Sequence, residues 1–469
     1  MKQTCSTVAL LLASTTASAS DASMPVMGWT DEITGYAALA IFFIAYLLVV
    51  MEERTRLRKS KPVVLAAAMI WGLIALKASS TPGVDPGLAH EAFRSIFVEF
   101  ASLFFFLVVA MSFVEAIAER NVFEAMRAEL VSRGFSFKHL FWLTGVIGFF
   151  LSPILDNLTT ALVMSSVILA VGAGNERFIK LSFINLVVAV NAGGAWSAFG
   201  DITTLMVWQG QKAQFFEFFR LIPPSLVNWL VPAAIMQFWV PAGRPARGRD
   251  DAEIKRGGWV ICMLFGVTIA ITISAKQFLH MPPVFGMMAG LALLNIVAYW
   301  IASHELRDGS AAGVGRKPYS IFRIMANAEW DTLLFFYGVL LSVGGLAAIG
   351  YMAVGSELVY EGWGHTWANV GMGALSAIVD NIPIMYAVLQ MNPPMDLGQW
   401  LLITLTCGVG GSILSVGSAA GVALMGQSRG LYTFSSHLKW VWAIALGYVL
   451  SILTHLWWSA DLFTNGFGA

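Results

Sequence analysis

Twice in this chain a carboxylate and an amide stand side by side inside an apolar stretch. The first copy is Ser152-Pro153-Ile154-Leu155-Asp156-Asn157 and the second is Ser376-Ala377-Ile378-Val379-Asp380-Asn381, about 225 residues further on. A glycine-interrupted apolar segment follows each, Asn191 to Asp201 after the first and Gly408 to Gly421 after the second. Hydrocarbon offers no water to backbone or charge. Regular helices therefore cross it, and irregular backbone survives at that depth only when buried in protein or lining a cavity. A carboxylate in lipid is costly and marks function by default. Two of them at broken helices point to an ion carrier.

Composition supports a membrane setting. Of 469 residues, 57% are hydrophobic and 12% charged, against about 25% charged in a soluble domain. The length alone would suggest several soluble domains, but repeated apolar runs of about 20 residues read as transmembrane helices. Lys+Arg and Asp+Glu both number 28, so the chain has no net charge and no basic patch suited to nucleic acid. Cys5, Cys262 and Cys407 are scattered and show no metal-ligand spacing. Residues 1–19 read as a signal peptide: Lys2 is basic, Val8 to Ala13 is apolar, and Ala17-Ser18-Ala19 resembles a cleavage site.

The expected fold class is an all-α polytopic membrane protein. Ten crossings are expected near 33–51, 62–80, 96–117, 179–209, 221–240, 258–275, 283–302, 331–350, 398–426 and 440–458, with two re-entrant hairpins near 139–173 and 366–391. The first hairpin offers about 35 residues with Pro153 and Asp156-Asn157 at the middle, too few for two spans of about 17–20 residues. With the mature N-terminus outside, alternate loops place 22 of the 28 lysines and arginines on the cytoplasmic side and 5 on the other, Lys2 lying in the leader. Five crossings and one hairpin per half make the second half start on the opposite face. The expected organisation is therefore an inverted repeat: 20–240, a cytoplasmic linker at 241–257, and 258–469. Such repeats place binding sites near the midplane, and this count puts both mature termini in the periplasm.

The stretches SPILDNLTTALVM (152–164), NAGGAWSAFGDITTLMVW (191–208), SAIVDNIPIMYAVL (376–389) and GVGGSILSVGSAAGVALMG (408–426) resemble those of NhaD-type sodium/proton antiporters of the ion transporter superfamily. The resemblance covers essentially the whole mature chain. It implies Na⁺ or Li⁺ expelled in exchange for protons across the bacterial inner membrane. The lipid bilayer, alkali cations and protons would be its partners, with no cofactor. Related carriers of that superfamily look dimeric, so the resemblance also implies a homodimer.

The residues point the same way. A hard cation such as Na⁺ wants several oxygen ligands. The first hairpin tip offers the Asp156 carboxylate, the Asn157 carbonyl and the hydroxyl of Thr159 or Thr160. The broken segment offers Ser197, Asp201, Thr203 and Thr204, and Gly193, Gly194 and Gly200 would let carbonyls turn toward an ion. Two carboxylates in low dielectric need not both stay ionised, so a proton can replace a departing cation on the same oxygens. Asp156 and Asp201 also suit helix N-caps, a role compatible with binding. The second half keeps Asp380-Asn381 but has Ile382-Pro383 for Leu158-Thr159. Its break carries Ser412, Ser415 and Ser418 and no acid matching Asp201. Two equal ion sites are therefore not expected, and Asp380 would hold either a second cation or the proton. Glu99, Glu115 and Asp331 read as interfacial acids, and His365, His437 and His455 as solvated or belt residues near span ends. The 17 tryptophans fit interfacial belts.

Two other functions are weighed. A cation-coupled anion carrier of the same superfamily, for dicarboxylate, phosphate or arsenite, would use half-helix N-termini, but the acids repel an anion and no arginine lies in either motif. An intramembrane aspartyl protease would need two carboxylates sharing a proton. Gly200-Asp201 resembles its motif, yet Ala198 replaces the first glycine and no Pro-Ala-Leu occurs.

Overall fold

The computed structural model describes residues 25–172, 174–245, 252–307, 321–326, 328–428 and 430–464. The expected leader, Cys5 and the centre of the linker lie outside the described residues. Within them the chain is helical and without strands. The first half contains α1 (Ile33–Val50), α2 (Ser60–Ser80), α3 (Gly87–Glu119), α4 (Val122–Ser132), α5 (Phe137–Leu155), α6 (Asn157–Val171), α7 (Glu176–Gly194), α8 (Ile202–Gln209) and α9 (Ile222–Met236). The second contains α10 (Gly258–Leu279), α11 (Pro283–Arg307), α12 (Trp330–Ile349), α13 (His365–Leu375), α14 (Asn381–Met391), α15 (Leu397–Gly410), α16 (Ala419–Gln427) and α17 (Val441–Trp458).

Nine helices among the described residues are long and apolar enough to cross a membrane. One is α5, expected only as a hairpin arm. Its 19 residues rise about 28 Å, close to the hydrocarbon thickness. Polar residues set the boundaries. Asn175 caps α7 by accepting from the Phe178 amide at 3.0 Å, and Asp396 caps α15 by accepting from the Gln399 amide at 2.9 Å. Pro153 sits in the last turn of α5, which ends at Leu155. Helix α4 was not anticipated: its charges mask a short apolar face of Ala128, Leu130 and Val131, which is buried.

The two interrupted spans are α7–α8 and α15–α16. Helix α5 packs on α7, and α13 on α15. Glycines make these contacts possible. A β-carbon on Gly193 would stand 2.3 Å from the Phe149 carbonyl oxygen, and one on Gly410 would stand 2.1 Å from that of Gly373. The motif serines tie the same pairs together: Ser152 donates to the Val190 carbonyl at 2.7 Å and Ser376 to the Cys407 carbonyl at 3.1 Å. Around this centre α9 packs on α17, α2 on α12 and α3 on α11.

The histidines correct the sequence expectation. His437 and His455 are fully buried. His437 meets the Ser412 carbonyl at 3.0 Å and the Tyr432 hydroxyl at 2.7 Å, and His455 meets the Gly398 carbonyl at 3.0 Å. Both lie near span ends in sequence, but other helices cover them.

Candidate cation and proton site

Asp156 occupies the single residue between α5 and α6, with φ 73° and ψ 162°. That backbone region is essentially reserved for glycine, and strain of about 1–3 kcal/mol persists there only when surroundings impose it. The carboxylate supplies part of the hold. Its Oδ1 accepts from the Thr159 amide at 2.8 Å and its Oδ2 from the Thr159 hydroxyl at 2.9 Å. Asp156 thus caps α6 and presents its oxygens to the interior at the same time.

Asp201 opens α8 and is buried. Its Oδ1 accepts from the Ile202 amide at 2.7 Å and its Oδ2 from the Thr203 hydroxyl at 3.0 Å. The Thr204 hydroxyl completes a capping box, accepting from the Asp201 amide at 3.2 Å and donating to the Asp201 carbonyl at 2.7 Å. One further donor comes from the other half: Asn381 Nδ2 gives a hydrogen bond to Asp201 Oδ2 at 2.7 Å.

The opposite crossing also exists. Asn157 donates to Asn191 Oδ1 at 3.1 Å, and Asn191 donates to Ser418 Oγ at 3.1 Å. Ser418 in turn caps α16 through the Gly421 amide at 3.2 Å. Each motif asparagine therefore reaches toward the helix break of the other half, directly or through one side chain. No local signal announces contacts of such sequence separation.

Asp380 has an unstrained backbone, with φ −46° and ψ 143°. Lys59 Nζ lies 3.3 Å from its Oδ2, while its Oδ1 is buried without a partner. Nothing in the sequence singles out Lys59, which stands in the run from Arg54 to Lys61 and counts there as an ordinary loop charge.

One cavity of about 200 Å³ joins these groups. Asp156, Asn157, Thr159, Asp201, Asp380 and Asn381 all line it. So do Glu115, expected at an interface, and Glu329, which drew no notice. Of the expected oxygens, those of Thr160, Ser197, Thr203, Thr204, Ser412, Ser415 and Ser418 do not line it. Ser197 bonds the Pro153 carbonyl at 3.2 Å, Thr204 is used in the cap, Ser415 meets Met425 Sδ at 3.5 Å, and Ser418 serves Asn191. Thr160 is buried with its hydroxyl unpartnered, and Gly193 and Gly410 serve close helix packing. Among the described residues no group of three His, Cys, Asp or Glu side chains is placed to hold a resident metal.

Apolar helices of membrane length around an acid-lined cavity at two helix interruptions define a multi-pass membrane protein with an internal polar site. A family model described as "Citrate transporter" matches residues 46–408. The Na(+)/H(+) antiporter NhaD of Alkalimonas amylolytica is 49% identical over 457 residues, 94% of each chain. That of Vibrio cholerae serotype O1 is 49% identical over 453 residues, 93% of this chain and 94% of the relative. Sodium/proton antiporter 1 of Arabidopsis thaliana is 31% identical over 419 residues, 86% of this chain and 69% of the relative. The chain belongs to the citrate transporter family and, within that broad class of carriers, sits with the NhaD sodium/proton antiporters.

Proposed function

We propose that this protein is a secondary antiporter that exchanges cytoplasmic Na⁺, and Li⁺, for external H⁺ across the bacterial inner membrane. The carrying observation is that Asp156 and Asp201, from two different helix interruptions, line the same cavity. An alkali ion needs several oxygens, and these carboxylates with Thr159 and the motif amides supply them. A proton competes for the same oxygens, so loading with one excludes the other. That competition suffices for exchange once the cavity opens alternately to the two sides.

The repeated architecture supports alternating access. The α5–α6 pair with the interrupted α7–α8 has a counterpart in α13–α14 with α15–α16. Packing pairs recur in the same sense: α6 meets α16, and α8 meets α14. We read residues 20–240 and 258–469 as two inverted halves, with α5–α6 and α13–α14 as hairpins entering from opposite faces. The cavity wall also includes Ala118, Phe123 and Glu329, at helix ends that the basic-loop count assigns to the cytoplasm. We read the arrangement as inward-facing on that count, and the same count puts both mature termini in the periplasm.

A second reading is favoured by the family model's own description, which names citrate. Charge argues against it. Five acids line the cavity and one lysine does, so a polyanion would be repelled. The test is dequenching of a pH-sensitive dye in inside-out vesicles on adding Na⁺, Li⁺ or K⁺, with labelled citrate uptake alongside. Asp156→Asn should abolish exchange and leave membrane insertion intact. Normal exchange by that variant, or citrate uptake without cation exchange, would overturn the proposal.

A further inference from the structure

The two motif acids sit in unlike surroundings. Asp156 is held by a hydroxyl and an amide of its own helix, both from Thr159. Asp380 is held by a charge, the Lys59 ammonium, and by nothing else in the described hydrogen bonding. Lys59 is the one basic side chain lining the cavity, against five acids. Its position is built in. Ser60, the next residue, donates to Asp331 Oδ1 at 2.5 Å, which fixes the start of α2 against α12. From the same helix α12, the Phe335 ring lies 4.4 Å below the Lys59 nitrogen, a cation–π contact. The ammonium also stands at the N-terminus of α2, where the helix dipole disfavours positive charge. Only 18% of the Lys59 side chain and 14% of the Asp380 side chain are exposed, so the pair is poorly screened. The remaining Asp380 oxygen, Oδ1, is buried and free to accept a ligand.

We propose that Lys59 is a tethered counter-ion of Asp380 that sets the sodium affinity of the cavity. This deepens the antiport reading and rests on it. In the cavity without alkali metal, the ammonium neutralises Asp380. An entering Na⁺ competes with it for the carboxylate, and the lysine withdraws along the Phe335 face with its proton retained. When the ion leaves, the ammonium returns. Asp156 and Asp201 carry the exchange of proton for sodium, and Lys59 decides how strongly the third acid adds to the pull on the ion. Lys59 is therefore an affinity-setting residue of the cavity.

The test is binding of radioactive Na⁺ to the purified full-length protein at alkaline pH, where proton competition is weakest. Removing the competitor with Lys59→Gln should lower the half-saturating Na⁺ concentration by about fivefold, the effect of a partly screened ion pair. Lys59→Arg keeps the charge and should leave it within about twofold. Asp380→Asn leaves an unpaired ammonium beside the site and should weaken binding, and adding Lys59→Gln to it should recover the loss. This double-mutant cycle separates pairing from folding damage. Unchanged or weaker binding in Lys59→Gln, an arginine variant that moves as far as the glutamine variant, or no recovery in the double variant would overturn the inference. Asp156→Asn is the separate control. If it binds Na⁺ like the parent, the antiport reading fails as well; if it loses binding while Lys59→Gln is unmoved, only the role of Lys59 fails.

Discussion

Gly193→Ala tests how closely the site depends on helix packing. The added methyl would stand 2.3 Å from the Phe149 carbonyl oxygen and 2.9 Å from its carbon. Non-bonded heavy atoms settle near 3.5 Å, so α5 and α7 must separate by roughly 1 Å. Overpacking of this kind costs about 1–3 kcal/mol. The displacement also falls between Asn191 and Ser197, the segment that holds Asn157 and leads to Asp201. A misplacement of about 1 Å at a reacting geometry costs on the order of 100-fold in enzymes, and exchange should drop by a comparable factor. Gly266→Ala on α10 is the control, because a β-carbon there meets nothing within 4 Å. It should be neutral or stabilising by up to about 1 kcal/mol. Thermal unfolding in detergent and dye dequenching in vesicles measure both effects. A Gly193→Ala protein with the stability and sodium response of the Gly266→Ala control would refute the reasoning.

Asn381→Leu removes the 2.7 Å donor to Asp201. A buried bond to a charged group is worth about 1.5–3 kcal/mol, so the apparent KM for Na⁺ should rise by at least about tenfold, measured by dye dequenching against Na⁺ concentration. His437→Phe strips partners from the Ser412 carbonyl and the Tyr432 hydroxyl, and should lower stability by about 1–3 kcal/mol in thermal unfolding. If one proton competes with one Na⁺, the apparent KM should rise by at most about tenfold for each unit fall in pH; a KM flat across pH in the same vesicles would contradict shared oxygens.

Much of the helix plan was legible because span length follows from bilayer thickness and because polar residues are rare enough in this chain to stand out. Asp156 and Asp201 were legible for that reason, both as caps and as acids deep in apolar sequence. The residues misread share a different cause. Lys59 lies in a basic run, where a loop role is the default, and only the fold carries it to Asp380. Glu329 sits beside Trp330-Asp331 at an ordinary helix start. Thr204 and Ser415 have the right oxygens, but local geometry commits them to a backbone cap and a methionine sulfur. The break expected at Asp156 falls there, between α5 and α6, but α5, expected as a hairpin arm, is long and apolar enough to span the bilayer.

The two asparagine reaches have a consequence for how the protein is made. Asn381 is synthesised 180 residues after the Asp201 it serves, and Ser418 arrives 227 residues after Asn191. A nascent chain released into the bilayer after its early helices would hold Asp201 with the Thr203 hydroxyl on its Oδ2 but without the second, shorter donor from Asn381. Assembly of the core must therefore wait for nearly the entire polypeptide, and chains truncated before residue 381 should be recognised as unfinished and degraded.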